Sequence, residues 1–317
     1  MIVPLPPTTA AAFVDAQHGW AGGQGGLFGT TDGRTFRVQV RAPIIGITAF
    51  DRARAWAITG DGFVLRTFDG RHWSRLGAPH LFQIQFLNAR IGFGLTRDGV
   101  VVRSTDSGRT WREVTTPGLV QSECFVDAAH GWIARGGVIR STADGGRHWL
   151  RARLQPVAKG FGTPVLGCRG SDAWVLFNDG VAAGTENYRV YRAVGTRWRA
   201  VLASPFQRTL PSISNYAGPF SVLGGGVAVF TGSCAPCDGF GTASVVRTVD
   251  GGASFRRSTP FHGYMPEDVS FSDAAHGWLL SGSHVGSATP ARLGILWRTA
   301  DGGRRWRPVF RSPLLAP

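Results

Sequence analysis

One short turn, Ser/Thr-x-Asp-x-Gly-x-x-Trp/Phe, recurs along this 317-residue chain and restricts its fold more than any other feature. Four copies have full length: residues 104–111 around Asp106, 142–149 around Asp144, 248–255 around Asp250 and 299–306 around Asp301. Two more, 30–36 around Asp32 and 67–73 around Asp69, are one residue shorter. A seventh, decayed copy is placed at Val194-Gly195-Thr196-Arg197-Trp198, where Gly and Trp survive and the Asp is lost. Successive box aspartates lie 37, 37, 38, 106 and 51 residues apart. That spacing suits a four-stranded unit of about 40 to 45 residues with insertions late in the chain.

A second motif precedes each box, clearest at Phe13–Trp20, Phe125–Trp132 and Phe271–Trp278, with weaker copies ending at Trp56, Phe93 and Trp174. It reads as a strand, a tight turn closed by Asp and Gly, and a second strand opening on a large aromatic. Each unit is therefore strand A, turn, strand B, loop, strand C, box, strand D. A single such meander cannot bury both of its faces, so the units must stack around an axis. With 45 Gly, 18 Pro and no long helical periodicity, the expectation is all-β, a seven-bladed propeller of four-stranded antiparallel blades. The units divide as an arm over 1–10 and one propeller over 11–317, with blades near 11–43, 44–79, 80–117, 118–156, 157–205, 206–260 and 261–317. Blade seven reads as holding four strands of its own, from Val269 through Phe310, which would let the ring close by face packing; the mode of closure, and whether residues 1–10 add a strand to the last blade or trail as an arm, stay open. Residues 1–7 hold three prolines and no basic segment, so no export signal is expected in them.

The box chemistry is local. Its Asp can accept N–H bonds from its own turn, its Gly supplies a positive φ, and its closing aromatic packs between strands. Six such carboxylates, one per blade, cannot converge on a substrate, so they are read as structural.

These residues resemble the Asp-box, or BNR, repeat of sialidases, sortilin-type receptors and the photosystem II assembly and stability factors. The last are the nearest pattern: Phe-x-Asp-x-x-x-Gly-Trp followed by Thr-x-Asp-Gly-Gly-x-x-Trp runs from Phe271 to Trp306 here. The resemblance spans about residues 11 to 310. It implies a chaperone-like binding scaffold outside the cytoplasm, and it specifies the fold far better than the partner.

Charge is lopsided, with 34 Lys+Arg against 20 Asp+Glu and a net +14, almost all of it arginine. This favours acidic partners through the summed field, although GC-rich coding produces the same composition. In the usual layout the boxes and A–B turns share one face. Arg34, Arg71, Arg109, Arg147, Arg304 and Arg305 follow the boxes there, and Arg66, Arg103, Arg140, Arg247 and Arg298 precede them. Together they form a candidate basic ring for an acidic protein or anion, or simply a copied repeat. The opposite face carries irregular loops with Tyr216, Asp238, His262, Tyr264, Glu267, His284 and Arg292, a candidate ligand rim or solvated loop variation. Nucleic-acid signatures are missing. No cofactor or metal is expected, and neither is a bilayer-spanning segment; the chain is expected to be a monomer.

Four cysteines, an even number, suit an oxidising compartment, although the compartment itself stays open. Cys234 and Cys237 have a C-x-x-C spacing without a second ligand pair, which favours a local disulfide over zinc. Cys124 and Cys168 open strand A in adjacent blades, as an inter-blade disulfide or two buried thiols. His18, His130 and His276 recur in A–B turns and are read as turn residues.

Two functions are carried forward. The first is a non-enzymatic scaffold presenting a face to a protein partner. The second is a sialidase-like glycoside hydrolase or a glycan-binding propeller. Sialidases use a Tyr nucleophile, an exception to the two-carboxylate scheme, and the family adds an arginine cluster, a Glu and an Asp. Only four Tyr and four Glu are present, the family's early Phe/Tyr-Arg-Ile-Pro motif is missing, and sialidases have six blades. The two-propeller xyloglucanases also use Asp-boxes but need more chain than this.

Overall fold

The computed structural model describes residues 10–77, 79–155, 162–195, 197–234, 241–262, 264–283 and 293–315. Short β-rich runs punctuated by Gly-closed turns pair only with their chain neighbours. Seven antiparallel sheets result, each with strands A to D in chain order, and they stand in a ring as a seven-bladed propeller. The A strands are Ala10–Phe13, Ile44–Ala49, Leu81–Phe86, Ser122–Phe125, Thr163–Arg169, Tyr216–Gly224 and Tyr264–Phe271. They lie innermost and meet around the axis; the third and fourth are joined by Gln83 and Gln85, whose amides bond the Glu123 carbonyl and the Phe125 N–H.

No blade has a core of its own. Each of the six buried apolar clusters is shared between neighbouring blades, as expected when a sheet has two apolar faces and nothing but another sheet to cover them. The tightest contacts are flat ring stacks between a strand-B aromatic and the next blade's strand-A Phe. Trp56 stacks on Phe86 at 3.7 Å, Phe93 on Phe125 at 3.6 Å and Trp278 on Phe13 at 3.9 Å between centroids. Box-closing rings then meet these phenylalanines edge-on, as Trp111 does Phe86 and Trp306 does Phe271.

Among the described residues the ring closes without strand exchange: four strands of blade 7 come from residues 264–312. Blade 1 is held by Ala11 N–H to Asp268 Oδ2 at 2.6 Å, Phe13 N–H to Ser270 Oγ at 3.3 Å, and the Phe13–Trp278 stack. After strand D a 3-10 turn, Pro313–Leu315, crosses to blade 1, where Leu314 O accepts Gly25 N–H at 3.0 Å and Leu315 is buried.

Two features depart from a uniform repeat. Blade 5 has a fifth strand: Arg153–Gln155 leaves blade 4 and pairs in parallel with Arg197–Ala203, covering the outer edge. The extra chain in blades 5 to 7 also goes partly into strands. Strand B has 11, 8 and 7 residues there, against 5 in each of the first four blades. Blades 4 and 5 are further tied by a disulfide between Cys124 and Cys168, with Cα atoms 6.0 Å apart. Cys234 is disulfide-bonded as well, and Cys237 lies outside the described residues.

Replacing Cys124 and Cys168 by alanine releases a crosslink spanning 44 residues. The expected loss of unfolding free energy is on the order of 3–4 kcal/mol by chain entropy. Urea melts of the double variant check this, and an unchanged midpoint would mean that the junction is held by packing alone.

Glu123, beside the disulfide, is fully buried, and neither carboxylate oxygen has a hydrogen-bond partner. Burial pushes its carboxyl up to about 8. An acid raised on folding binds its proton more tightly in the native state. Stability therefore falls as pH rises from the unfolded value of 4.5 to the folded one near 8, then levels off. Glu123→Gln is expected to flatten that slope and to gain on the order of a few kcal/mol at pH 8, read from melts at pH 5 and pH 8.

Candidate anion-binding face

Each box builds its turn from its own side chains. Thr142 Oγ1 donates to Asp144 Oδ1 and accepts Gly146 N–H, both at 2.9 Å, while Asp144 Oδ1 accepts the N–H groups of Arg147 and His148 at 3.0 Å. The same pattern surrounds Asp32, Asp69, Asp106, Asp250 and Asp301. These bonds hold the carboxyls of Asp32, Asp69, Asp144 and Asp250 well below the usual carboxylate range, led by Thr35 N–H on Asp32 and His148 N–H on Asp144. The charges are real but committed to their own turns.

A–B turns on the same face use the same device. Asp15, Asp51, Asn88, Asp127 and Asp273 each accept two N–H groups two and three residues on. His18, His130 and His276 bond back to their turn Asp through Nδ1. Box and A–B turn are then tied within a blade, as by Gly70 N–H to Ala53 O at 2.9 Å and Gly302 N–H to Ala275 O at 2.9 Å. Blade 3 has Ser107 in place of the first glycine, at φ 66°, a conformation costly for any residue with a Cβ. Its hydroxyl bonds Ala89 O at 2.7 Å, which offsets part of that strain.

The arginines preceding the boxes do not form part of an open ring. Arg66, Arg103, Arg247 and Arg298, with Arg192 of the decayed repeat, reach across to the next blade's box turn. Arg66 Nη1 donates to Ser107 O at 3.2 Å, Arg192 Nη1 to Gly251 O at 3.4 Å, and Arg247 Nη1 to Gly302 O at 2.8 Å. Arg103 and Arg298 lie against Gly145 and Gly33, 3.4 and 3.3 Å from where a Cβ would stand. At Gly302, φ is +71° and a Cβ would meet Arg247 at 1.9 Å, so glycine alone serves both turn and clasp. Blade 1 has Gly29 at the clasp position, and Gln39 fills the gap: its Nε2 donates to Gly70 O at 2.9 Å and its Oε1 accepts Trp20 and Trp73 Nε1. Gln39 and Arg192 were not legible as clasps, since one sits on strand D and the other in the decayed repeat.

Arg34, Arg71, Arg109, Arg147, Arg304 and Arg305, by contrast, are all exposed on the box face. The two arginine sets therefore divide between holding blades together and facing solvent.

On the opposite face Tyr216 and Tyr264 begin A strands and are not loop residues. Tyr264 packs edge-on to Phe261 and Trp297, and His262 bridges to Thr242. Glu267 is the extra residue of a strand-A bulge, partly buried, with its carboxyl raised by that burial and by Asp268. Asp238, His284 and Arg292 lie outside the described residues. Tyr188 and Tyr191 are fully buried in blade 5. Among the described residues no group of three or more His, Cys, Asp or Glu is placed to hold a metal, and no helix is long and apolar enough to cross a membrane.

Neither a protein-family model nor a curated protein matches the chain in sequence. By fold it belongs among the seven-bladed propellers. Its similar solved structures include YCF48 bound to a D1 peptide, at 16% identity and TM-score 0.64 over 94% of this chain and 95% of that one. The GH74 enzyme of Niastella koreensis aligns at 13% identity and TM-score 0.69 over 96% of this chain and 54% of its own. The GH74 xyloglucanase of Xanthomonas campestris aligns at 14% and 0.62, over 96% and 68%. At these identities the likeness is one of fold, and a protein solved with a bound peptide and GH74 enzymes share it.

Arg66→Ala is expected to cost about 1–3 kcal/mol, because the junction loses a buried guanidinium and Ser107 O keeps only the Trp56 Nε1 donor. Arg109→Ala, exposed in the next box, is expected to stay within about 0.5 kcal/mol. Denaturant melts of the two variants compare the roles directly.

Proposed function

We propose that this propeller is a non-enzymatic scaffold that captures an acidic protein segment on its box face. The observation that carries the reading is a charge imbalance. Six exposed arginines, Arg34, Arg71, Arg109, Arg147, Arg304 and Arg305, stand beside aspartates whose oxygens are already filled by their own turns. Arginine on a rigid turn recognises carboxylates with two parallel donors and loses little freedom in doing so. YCF48, a protein of this fold, has been solved with a peptide bound, which supports the same class of role here. The Cys124–Cys168 disulfide supports an oxidising compartment for it.

A glycoside hydrolase finds less support in these residues. A sialidase-like mechanism needs an accessible phenol: Tyr188 and Tyr191 are buried, and the Tyr188 hydroxyl, pushed up to about 12 by burial, donates to Ser214 O and accepts the Ile213 and Ser214 N–H groups, which leaves only the half-buried Tyr216 and Tyr264 for that role.

The test is affinity capture from the source's envelope and soluble fractions at low and high salt, with native protein and with Arg71, Arg109 and Arg147 all changed to alanine. One stoichiometric protein retained at high salt by the native chain and lost by the variant is the expected result. An acidic mixture shed by salt from both, or turnover of a fluorogenic sialoside or a xyloglucan oligosaccharide, would move the assignment to glycan binding or hydrolysis.

A further inference from the structure

Strands C and D carry an unusual cross-strand pattern. Arg103 stands opposite Arg112, Arg140 opposite Arg151, Arg192 opposite Arg199, Arg247 opposite Arg256, and Arg298 opposite Arg307. Like charges directly opposite on a sheet are destabilising. Protecting an outer edge from pairing requires only scattered charge, not facing pairs. Among the described residues only Arg192 of these ten meets a carboxylate, Asp172 at 2.7 Å.

At the junction of blades 6 and 7 the pair faces a cavity. Arg247, Arg256, Arg257 and Arg304 line a cleft of about 770 Å³ together with Val245, Val249 and Ser258; the Arg257 guanidinium is committed to the Ser212 and Ile213 carbonyls, which leaves three to serve the space. Arg247 is held in its wall by bonds from Nη1 to Ala274 O at 2.6 Å and Gly302 O at 2.8 Å. Burial, and after it the charge of Arg304, lower the Arg247 guanidinium, so the two cations share one space. Asp301 is the one acid in that wall. Its Oδ1 is already filled by the Arg304 and Arg305 N–H groups at 3.0 and 2.9 Å and by the Thr299 hydroxyl at 2.9 Å.

The corresponding groove between blades 1 and 2 makes a useful contrast. It is about 550 Å³ and contains Arg37 and Arg71, but its clasp is the neutral Gln39. Of the two, the 6/7 cleft alone adds a third guanidinium, Arg247, preset by its bonds to the Ala274 and Gly302 carbonyls.

We propose that the blade 6/7 cleft binds a small multivalent oxyanion, with two or three carboxylate or phosphate groups, on Arg247, Arg256 and Arg304. This goes beyond the scaffold reading, because the ligand is a soluble small molecule and no protein partner is required. The cleft volume is in the range of small-ligand sites, which run to roughly 300–1,000 Å³. Arg247 supplies a fixed anchor at the wall, while Arg256 from strand D and Arg304 from the next box close on further oxygens of the same ligand. The neighbouring hydroxyl, Ser258 Oγ, donates to Gly303 O and keeps the floor of the cleft tied to blade 7.

The experiment is calorimetric titration of the native chain with citrate and, separately, with pyrophosphate at low salt. It is repeated for Arg256→Ala/Arg304→Ala and for a control, Arg41→Ala/Arg208→Ala, which removes two exposed charges from the opposite face. Saturable one-to-one binding of either probe is expected, weakened at least about tenfold by the cleft pair and less than about twofold by the control. The tighter probe identifies carboxylate or phosphate as the group recognised. Anion-induced rise in melting temperature, lost in the cleft pair alone, gives a second reading on protein confirmed to be folded. No saturable binding of either probe, or equal weakening in both double variants, overturns the site and leaves only the field of a basic protein. Either outcome is separate from partner capture by the Arg71, Arg109 and Arg147 surface.

Discussion

Everything in this molecule depends on the junction between one blade and the next. A four-stranded twisted sheet has two apolar faces, and here each is covered only by a neighbouring sheet. The junctions are built from the axis outward. Side chains of one A strand take backbone N–H groups of the next, as Ser270 does for Phe13. Aromatic stacks such as Trp56 on Phe86 fill the middle. At the box end, a guanidinium or the Gln39 amide reaches a carbonyl of the following turn. The box turn is thus both a hairpin closure and an acceptor that its neighbour requires.

The junction between blades 4 and 5 shows what replaces that acceptor. Blade 5 has lost the box Asp. Here the chain uses covalent and edge contacts instead. Cys124 and Cys168 join the two A strands near the axis, and Arg153–Gln155 crosses to add a strand at the rim. The loss of a repeated device and the appearance of two unrepeated ones fall at the same place.

Arginine serves two separate purposes, and only burial separates them. Guanidiniums before the boxes are drawn into the junctions, where their donors meet carbonyls and aromatic faces, as Arg103 lies over Phe93 and Arg298 over Trp278. Those after the boxes stay in water. The box aspartates beside them keep their charge but spend their oxygens on their own turns, so the exposed guanidinium donors stay available. A surface of this kind attracts anions over several ångströms and holds them where the guanidiniums converge.

The number of blades and the position of each box turn were legible in the residues, because short-range turn chemistry repeats and marks its own location. Phe13, Phe125 and Phe271 could be read as strand ends for the same reason. What only the tertiary structure decided is which side chains meet across blades. Gly29 looks like a simple departure from the repeat until Gln39 is found in the space it leaves, and Arg66 and Arg109 look alike until one is buried by the next blade. The added chain around Tyr216 and Tyr264 reads as loop, yet it extends A strands because partners such as Trp297 are there to pack against. Local hydrogen bonds belong to a stretch of sequence; contacts between stacked sheets depend on distance and burial, which exist only once the ring is closed.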